Sequence, residues 1–100
     1  MNEPVRWNAI AIDPRDSVAV VLRDVAAGET VSIRIENRIE TLVAKEPVAL
    51  GHKIARLTIG KGVPVLKYGA AIALATCDIA VGQHVHVHNV ASNRAKRVSP

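Results

Sequence analysis

Three histidines alternate with two valines in the stretch DIAVGQHVHVHNV, residues 78–90. Successive side chains of a β-strand point to opposite faces, so the imidazoles of His84, His86 and His88 would share one face and the valines the other. The valines can then enter a core while the imidazoles face a cleft or solvent. Few structural requirements place three imidazoles in this pattern. The stretch is therefore predicted to carry the chemistry of the protein.

Imidazoles at this spacing can bind a metal ion. Residues two apart on a strand are separated by roughly 6.5–7 Å, so two converging rings can share one ion, whereas three on a straight strand reach it with difficulty. The predicted ligand pair is His84 with His86, or His86 with His88. His52, or a carboxylate from a partner, can complete the shell. Imidazole suits iron, zinc, copper and nickel, so the ligand type does not choose the metal. The alternative interpretation is a solvated polar face of a strand.

Composition predicts one mostly β domain. One hundred residues are enough for a single modest core, and apolar side chains make up 49% of them, with no phenylalanine. Most are valine, isoleucine and alanine, and β-branched side chains favour strands over helices. No stretch shows the 3.6-residue periodicity of a long helix. We expect a globular domain at residues 9–90, with tails at residues 1–8 and 91–100.

Turn residues divide the chain into short predicted strands. They fall at residues 9–12, 17–22, 31–35, 39–44, 52–59, 64–69 and 71–76, the last of which also suits a short helix. A pattern recurs at DVAAGETV (24–31), TIGKGVPV (58–65) and DIAVGQHV (78–85). It predicts three similar β-corners, each with a positive φ at its glycine.

The charge favours a small anionic ligand over nucleic acid. The formal net charge is +4, but part of the excess lies in the C-terminal SNRAKRVSP. No aromatic stacking surface or recognition helix accompanies it, so we expect no nucleic-acid partner. Small anions such as sugar acids better match scattered lysines and arginines near a histidine cluster.

The sequence also predicts a cytoplasmic protein with no membrane partner. No apolar run reaches the length of a membrane span, and the N-terminal residues lack the hydrophobic segment of a signal peptide. The single cysteine, Cys77, cannot form an internal disulfide, and we expect it to be a buried, inert thiol.

Four fragments, in chain order, resemble one protein family. They are DPRDSVA (13–19), GHKIA (51–55), KYG (67–69) and HVHVHN (84–89). With the recurring corners, they resemble the N-terminal SAF domain of the altronate and galactarate dehydratase family. They are also similar to the separate small subunit of relatives such as sulfolactate sulfo-lyase. The resemblance spans about residues 9–90. It departs from the family pattern at Arg56, at Thr58 and in residues 70–74, where more polar residues are expected, and this leaves the substrate open.

The resemblance implies a single-domain β-clip with short strands and little helix. It also implies an active site that a large catalytic subunit completes. Dehydratases of this family are generally iron-dependent, which favours Fe(II), or another divalent metal, at His84 and His86.

Candidate roles follow for the remaining residues. His52 and His86 are the predicted catalytic residues, because imidazole titrates near neutral pH and can move the protons of a dehydration. Lys53, Lys67 and His88 are the predicted residues for binding a hydroxy acid.

Two functional hypotheses stay open. The first is a small SAF-type subunit of a carbon–oxygen or carbon–sulfur lyase, such as a sugar-acid dehydratase, inactive without its large subunit. The alternative is a stand-alone module that binds a small acid or a metal without turnover. An exposed β edge leaves a homodimer of the isolated domain open.

Overall fold

The computed structural model describes residues 7–92, which form nine β-strands in two sheets. The strands are β1 (Ala9–Ala11), β2 (Val18–Val21), β3 (Thr30–Ile35), β4 (Arg38–Val43), β5 (Lys53–Ala55), β6 (Pro64–Lys67), β7 (Ala70–Ala75), β8 (His84–Val85) and β9 (Val90–Ser92). The described residues contain no helix, so none of them forms one that crosses a membrane. The predicted mostly β domain is confirmed. Residues 1–6 and 93–100, which include most of the two predicted tails, lie outside the described part.

The larger sheet has the strand order β4-β3-β1-β2-β5-β8. The β1–β3 pair is parallel, and the other neighbours are antiparallel. In β3 the side chains of Val31, Ile33 and Ile35 are fully buried while the residues between them are not. Each such burial contributes about 1.5–3 kcal/mol, so the alternation fixes which face of this sheet covers the core.

The smaller sheet has the order β6-β7-β9. β6 and β7 form a hairpin whose two turn residues, Tyr68 and Gly69, have φ angles of 57° and 77°, as in a type I′ turn. The segment predicted at residues 71–76 is strand up to Ala75 and not the alternative short helix, because Ala73 and Ala75 are buried with a period of two.

Ser17 joins the two sheets, and Arg56 ties β4 to the turn between β1 and β2 within the larger sheet. Ser17 N donates to the Leu66 carbonyl at 3.0 Å, and Leu66 N donates to Ser17 Oγ at 2.8 Å. Arg56, whose side chain is 6% exposed, donates to the carboxylate of Glu40 and to the carbonyls of Pro14 and Asp16. The structure thus buries the guanidinium of Arg56, a residue at which the sequence showed only a departure from the family pattern.

The three predicted corners are confirmed. Their glycines, Gly28, Gly62 and Gly82, have φ angles of 86°, 82° and 92°. The corners around Gly62 and Gly82 are linked by an isolated bridge between Ile59 and Ile79. Gly82 is the tightest of the three, because a Cβ atom there would overlap the carbonyl oxygen of Val43.

Two predicted strands are shorter than expected. β5 ends at Ala55, and the strand of alternating histidines ends at Val85. Residues 86–89 form a turn, closed by a 3.0 Å hydrogen bond from Asn89 N to the His86 carbonyl. The chain then continues as β9 in the smaller sheet.

A candidate histidine site

Pairing of β5 with β8 brings His52 to the C-terminal histidines. The antiparallel register places Lys53 opposite Val85 and Ile54 opposite His84. One step further, His52 and His86 face each other just outside the two strands. Directly opposed residues have Cβ atoms about 4.5–5.5 Å apart, close enough for their rings to stack.

The imidazoles of His52, His84 and His86, which we call the histidine triad, form a compact cluster. Ring centroids are 4.3 Å apart for His52 and His86, 5.1 Å for His52 and His84, and 5.2 Å for His84 and His86, with near-parallel planes. Nδ1 of His52 and Nε2 of His84 lie 2.9 Å apart in a hydrogen bond. One ring nitrogen from each member lies within 4.8 Å of the other two.

His88 lies at the rim of this cluster. Its ring centroid is 5.2 Å from that of His84, with the planes tilted by 41°, and the residue is exposed. The predicted division into a histidine face and a valine face is therefore wrong beyond Val85. Val85 is fully buried, but Val87 is 79% exposed because the turn has replaced the strand there.

Burial keeps two of the triad imidazoles neutral. It lowers the pKa of His84, and the nearby rings of His52, His88 and His86 lower it further, against a small opposing effect of Glu46. Partial desolvation lowers the pKa of His86 too, followed by the charges of His52 and Lys53. A neutral imidazole keeps the lone pair that a metal ion or a proton needs.

Two half-buried lysines interact with each other, and one of them, Lys53, also acts on His86 of the triad. Burial lowers the pKa of Lys53, and the positive charge of Lys67 lowers it further, so the two ammonium groups are near each other. Nζ of Lys67 also lies 4.8 Å from the ring centroid of Tyr68. Two neighbouring cations repel each other, and an anion placed between them relieves that repulsion.

Two side chains to which the sequence analysis gave no role, Glu46 and Asn89, bind the main chain of this site. Glu46 Oε2 accepts a 3.1 Å hydrogen bond from His84 N, and Asn89 contacts the main chain of both His84 and His86. An asparagine directly after the histidine run was a turn signal. No local signal marked Glu46, which is 38 residues from its partner.

Cys77 differs from its prediction: the thiol is exposed. It follows β7 in the corner before Ile79, where the buried positions belong to Ala75 and Ile79.

The triad offers a set of donors for a divalent ion. In a tetrahedral site with metal–nitrogen distances of about 2.0–2.1 Å, ligand nitrogens are roughly 3.3 Å apart. The three nitrogens of the triad span 2.9 Å at the hydrogen-bonded pair and no more than 4.8 Å overall. Small ring rotations would bring them into this range. His52, predicted as a catalytic acid or base, thus stands where it can also be a ligand.

Comparison with known proteins identifies the family. Residues 7–93 match the model of the altronate/galactarate dehydratase SAF domain. The chain belongs to this family. The resemblance found in the four sequence fragments is thereby confirmed.

Two kinds of relatives share this domain. The altronate dehydratases of Escherichia coli strain K12 and Bacillus subtilis strain 168 are 48% and 37% identical to the chain over 84 residues. These matches cover 84% of the chain and 16% of each relative. The alpha subunit of (2R)-sulfolactate sulfo-lyase from Chromohalobacter salexigens is 34% identical over 85 residues, which are 82% of the chain and 90% of that subunit.

Proposed function

We propose that this chain is the SAF component of a lyase that eliminates water or sulfite from a hydroxylated acid, in a site completed by a larger catalytic polypeptide. The match to 90% of a sulfo-lyase alpha subunit supports a small-subunit role. The observation that carries the proposal is the histidine triad, which a domain of this lyase family builds from two distant parts of its chain.

The triad fits a divalent metal ion. Its three imidazole nitrogens suit Fe(II), which we favour, as well as zinc, copper or nickel. His84 and His86 are the first two ligands, and His52 is the third. Three protein ligands leave positions for substrate, so a bound metal would polarise the carboxylate or hydroxyl group of the acid.

The lysines and the rim histidine fit the substrate. Lys53 acts on both Lys67 and His86, so the two lysines offer a pair of positive charges near the triad that suits a carboxylate. His88, exposed at the rim, reaches towards an incoming hydroxyl group. His86 has one lone pair in its neutral form, so it serves either as a metal ligand or, in a site without metal, as a proton acceptor. We expect most residues of the elimination itself to come from the catalytic polypeptide.

A second candidate is a binding module without turnover. The observation in its favour is that all three triad nitrogens come from this chain alone. A metal or a small acid can then bind without a partner. The two candidates share the site and differ in whether a catalytic polypeptide is present.

Purification of the protein from its own cells distinguishes them. Native mass spectrometry with elemental analysis should show a complex with a much larger polypeptide that carries iron. The complex should eliminate water or sulfite from one of altronate, galactarate or sulfolactate, and a complex with His86→Ala should not. The chain alone should be inactive. A metal-binding chain found always alone would favour the binding module, and turnover by the isolated chain would contradict the shared site.

A further inference from the structure

The turn that follows β8 is organised by one side chain. Asn89 is 5% exposed, and all its polar groups are used. Its Oδ1 accepts a 3.0 Å hydrogen bond from His86 N, and its Nδ2 donates a 2.8 Å hydrogen bond to the His84 carbonyl. Its own N donates to the His86 carbonyl, and its carbonyl accepts from Thr76 N at 2.9 Å.

Asn89 therefore binds three of the four main-chain polar groups of His84 and His86. The fourth, the N–H of His84, donates to Glu46. In a continuing strand these groups would point towards a neighbouring strand. Here a carboxamide takes that place, so the strand ends at Val85 and the chain turns.

We propose that Asn89 is the positioning residue of the histidine triad, and that it sets the backbone geometry from which the His84 and His86 rings converge on His52. On a straight strand the Cα atoms of the two residues would be about 6.5–7 Å apart, and the rings would meet only by leaning towards each other. In the turn their centroids are 5.2 Å apart, and the His86 ring stacks 4.3 Å from that of His52. Asn89 contacts neither imidazole in this role. It acts through the main chain. The inference that this geometry serves metal binding rests on the proposed function.

The same physics predicts which substitutions matter. A carboxamide supplies one donor and one acceptor at the correct separation. Serine has one shorter hydroxyl group in place of the separate oxygen and nitrogen of the carboxamide, so we expect it to replace the two hydrogen bonds only in part, and alanine can provide neither. Asn89→Ala should therefore disturb the arrangement of the triad imidazoles more than Asn89→Ser does.

Gln83 offers a matched control. Its side chain also closes a turn next to β8, since Oε1 accepts a 2.6 Å hydrogen bond from Ala80 N. It makes no side-chain hydrogen bond to His84 or His86 among the described residues. Gln83→Ala should therefore lower stability much as the Asn89 variants do, without moving the imidazoles.

Two measurements test the proposal on the full chain. The first is the ¹⁵N spectrum of the metal-free imidazoles, in which wild-type protein should show the hydrogen-bonded nitrogens of His52 and His84. Asn89→Ala should lose that signature, Asn89→Ser should weaken it, and Gln83→Ala should retain it. Circular dichroism and thermal unfolding establish that each variant is folded. If Asn89→Ala does not fold, the comparison is made with Asn89→Ser.

The second measurement is titration with Co²⁺, followed by calorimetry and by visible absorption, which reports coordination geometry. Loss of a residue that orients metal ligands typically weakens affinity about 10–100-fold. We expect that loss for Asn89→Ala and an unchanged affinity for Gln83→Ala. Imidazole spectra and Co²⁺ binding that are identical in wild type and folded Asn89 variants would overturn the proposal. If wild type fails to bind Co²⁺ but Asn89→Ala still changes the imidazole spectrum, the positioning role stands and the metal in the proposed function fails.

Discussion

Nδ1 of His52 lies 2.9 Å from Nε2 of His84, although 32 residues separate the two in sequence. A hydrogen bond between two imidazoles needs one protonated nitrogen and one bare nitrogen, so at least one of the two rings must be neutral. Burial of His84 favours the neutral form, because it lowers the pKa of that ring. The pair is thus organised for a pH at which imidazole is uncharged.

Acidification should destabilise the fold through His84 and His86. Both pKa values lie below the ordinary value of 6.5, so the unfolded chain takes up protons before the folded chain does. Stability is then unaffected well above pH 6.5 and falls as the pH drops through 6.5 towards the folded-state values. Urea unfolding at pH 7.5 and at pH 5.5 should show the loss.

A double variant provides the control for this pH dependence. His84→Gln with His86→Gln removes both titrating rings, so its unfolding free energy should change less between the two pH values. His88→Gln should retain most of the wild-type change, because desolvation, the largest cause of the lowered pKa at His84 and His86, is untouched. An equal pH dependence in the double variant would show that other groups cause it. Asp13 and Glu40, whose arginine partners lower their pKa values to about 2, act only at more acidic pH.

Alternation and turn residues predicted most of the fold. β3 followed its apolar and polar alternation, and the glycines at positions 28, 62 and 82 have the positive φ that the repeated corners required. The alternation along a strand and the positive φ of a corner glycine both depend on residues that are close together in the sequence. The parallel pairing of β1 with β3 had no such signal, because it depends on contacts distant in sequence.

The histidine run shows where a local pattern is insufficient. Its alternation favoured a strand through His88, but hydrogen bonds from Asn89 to His84 and His86 end the strand at Val85. The clustering of His52 with this run depends on the register of β5 and β8, which short strands do not reveal in sequence. The residue types of the candidate site were therefore predictable, and the triad geometry was not.

Neutralising Lys53 or Lys67 should weaken binding of an acid. A hydrogen bond to a charged group contributes about 1.5–3 kcal/mol, so Lys53→Met or Lys67→Met should reduce affinity for a hydroxy acid such as altronate at least tenfold. Calorimetry on the protein as purified from its cells measures this. Lys61→Met is the control, because Lys61 is exposed in another corner. An equal loss in all three variants would indicate only a general effect of net charge.

Gly82→Ala should destabilise the fold more than Gly62→Ala. Both glycines have positive φ, and moving an L-residue into that region costs about 1–2 kcal/mol. At Gly62 a Cβ atom has no neighbour within 4 Å, whereas at Gly82 it would overlap the Val43 carbonyl. We expect a loss of about 1 kcal/mol at Gly62 and more than 2 kcal/mol at Gly82. Urea unfolding measures both, and equal losses would mean that the corner moves away from Val43 at little cost.

Arg56→Ala should be among the most damaging single substitutions. The variant removes the buried guanidinium that binds the Glu40 carboxylate, which keeps only Arg38, and it leaves the carbonyls of Pro14 and Asp16 without that donor. Removal of one partner of a buried pair costs roughly 3–5 kcal/mol. Because Glu40 is one-third exposed, we expect the lower end of that range. Arg56→Lys should recover only part of the loss, since an ammonium group cannot reproduce the bidentate contact.

Arg38→Ala is the matched control for Arg56. Arg38 binds the same Glu40 carboxylate at 2.9 Å, but its side chain is 48% exposed. Solvent screens such a pair, so its removal should cost no more than about 1 kcal/mol. Urea unfolding at pH 7 compares the two variants. If Arg38→Ala proved as damaging as Arg56→Ala, the charge on Glu40 would matter more than the carbonyls of Pro14 and Asp16, and the Arg56 contacts within the larger sheet would be mainly electrostatic.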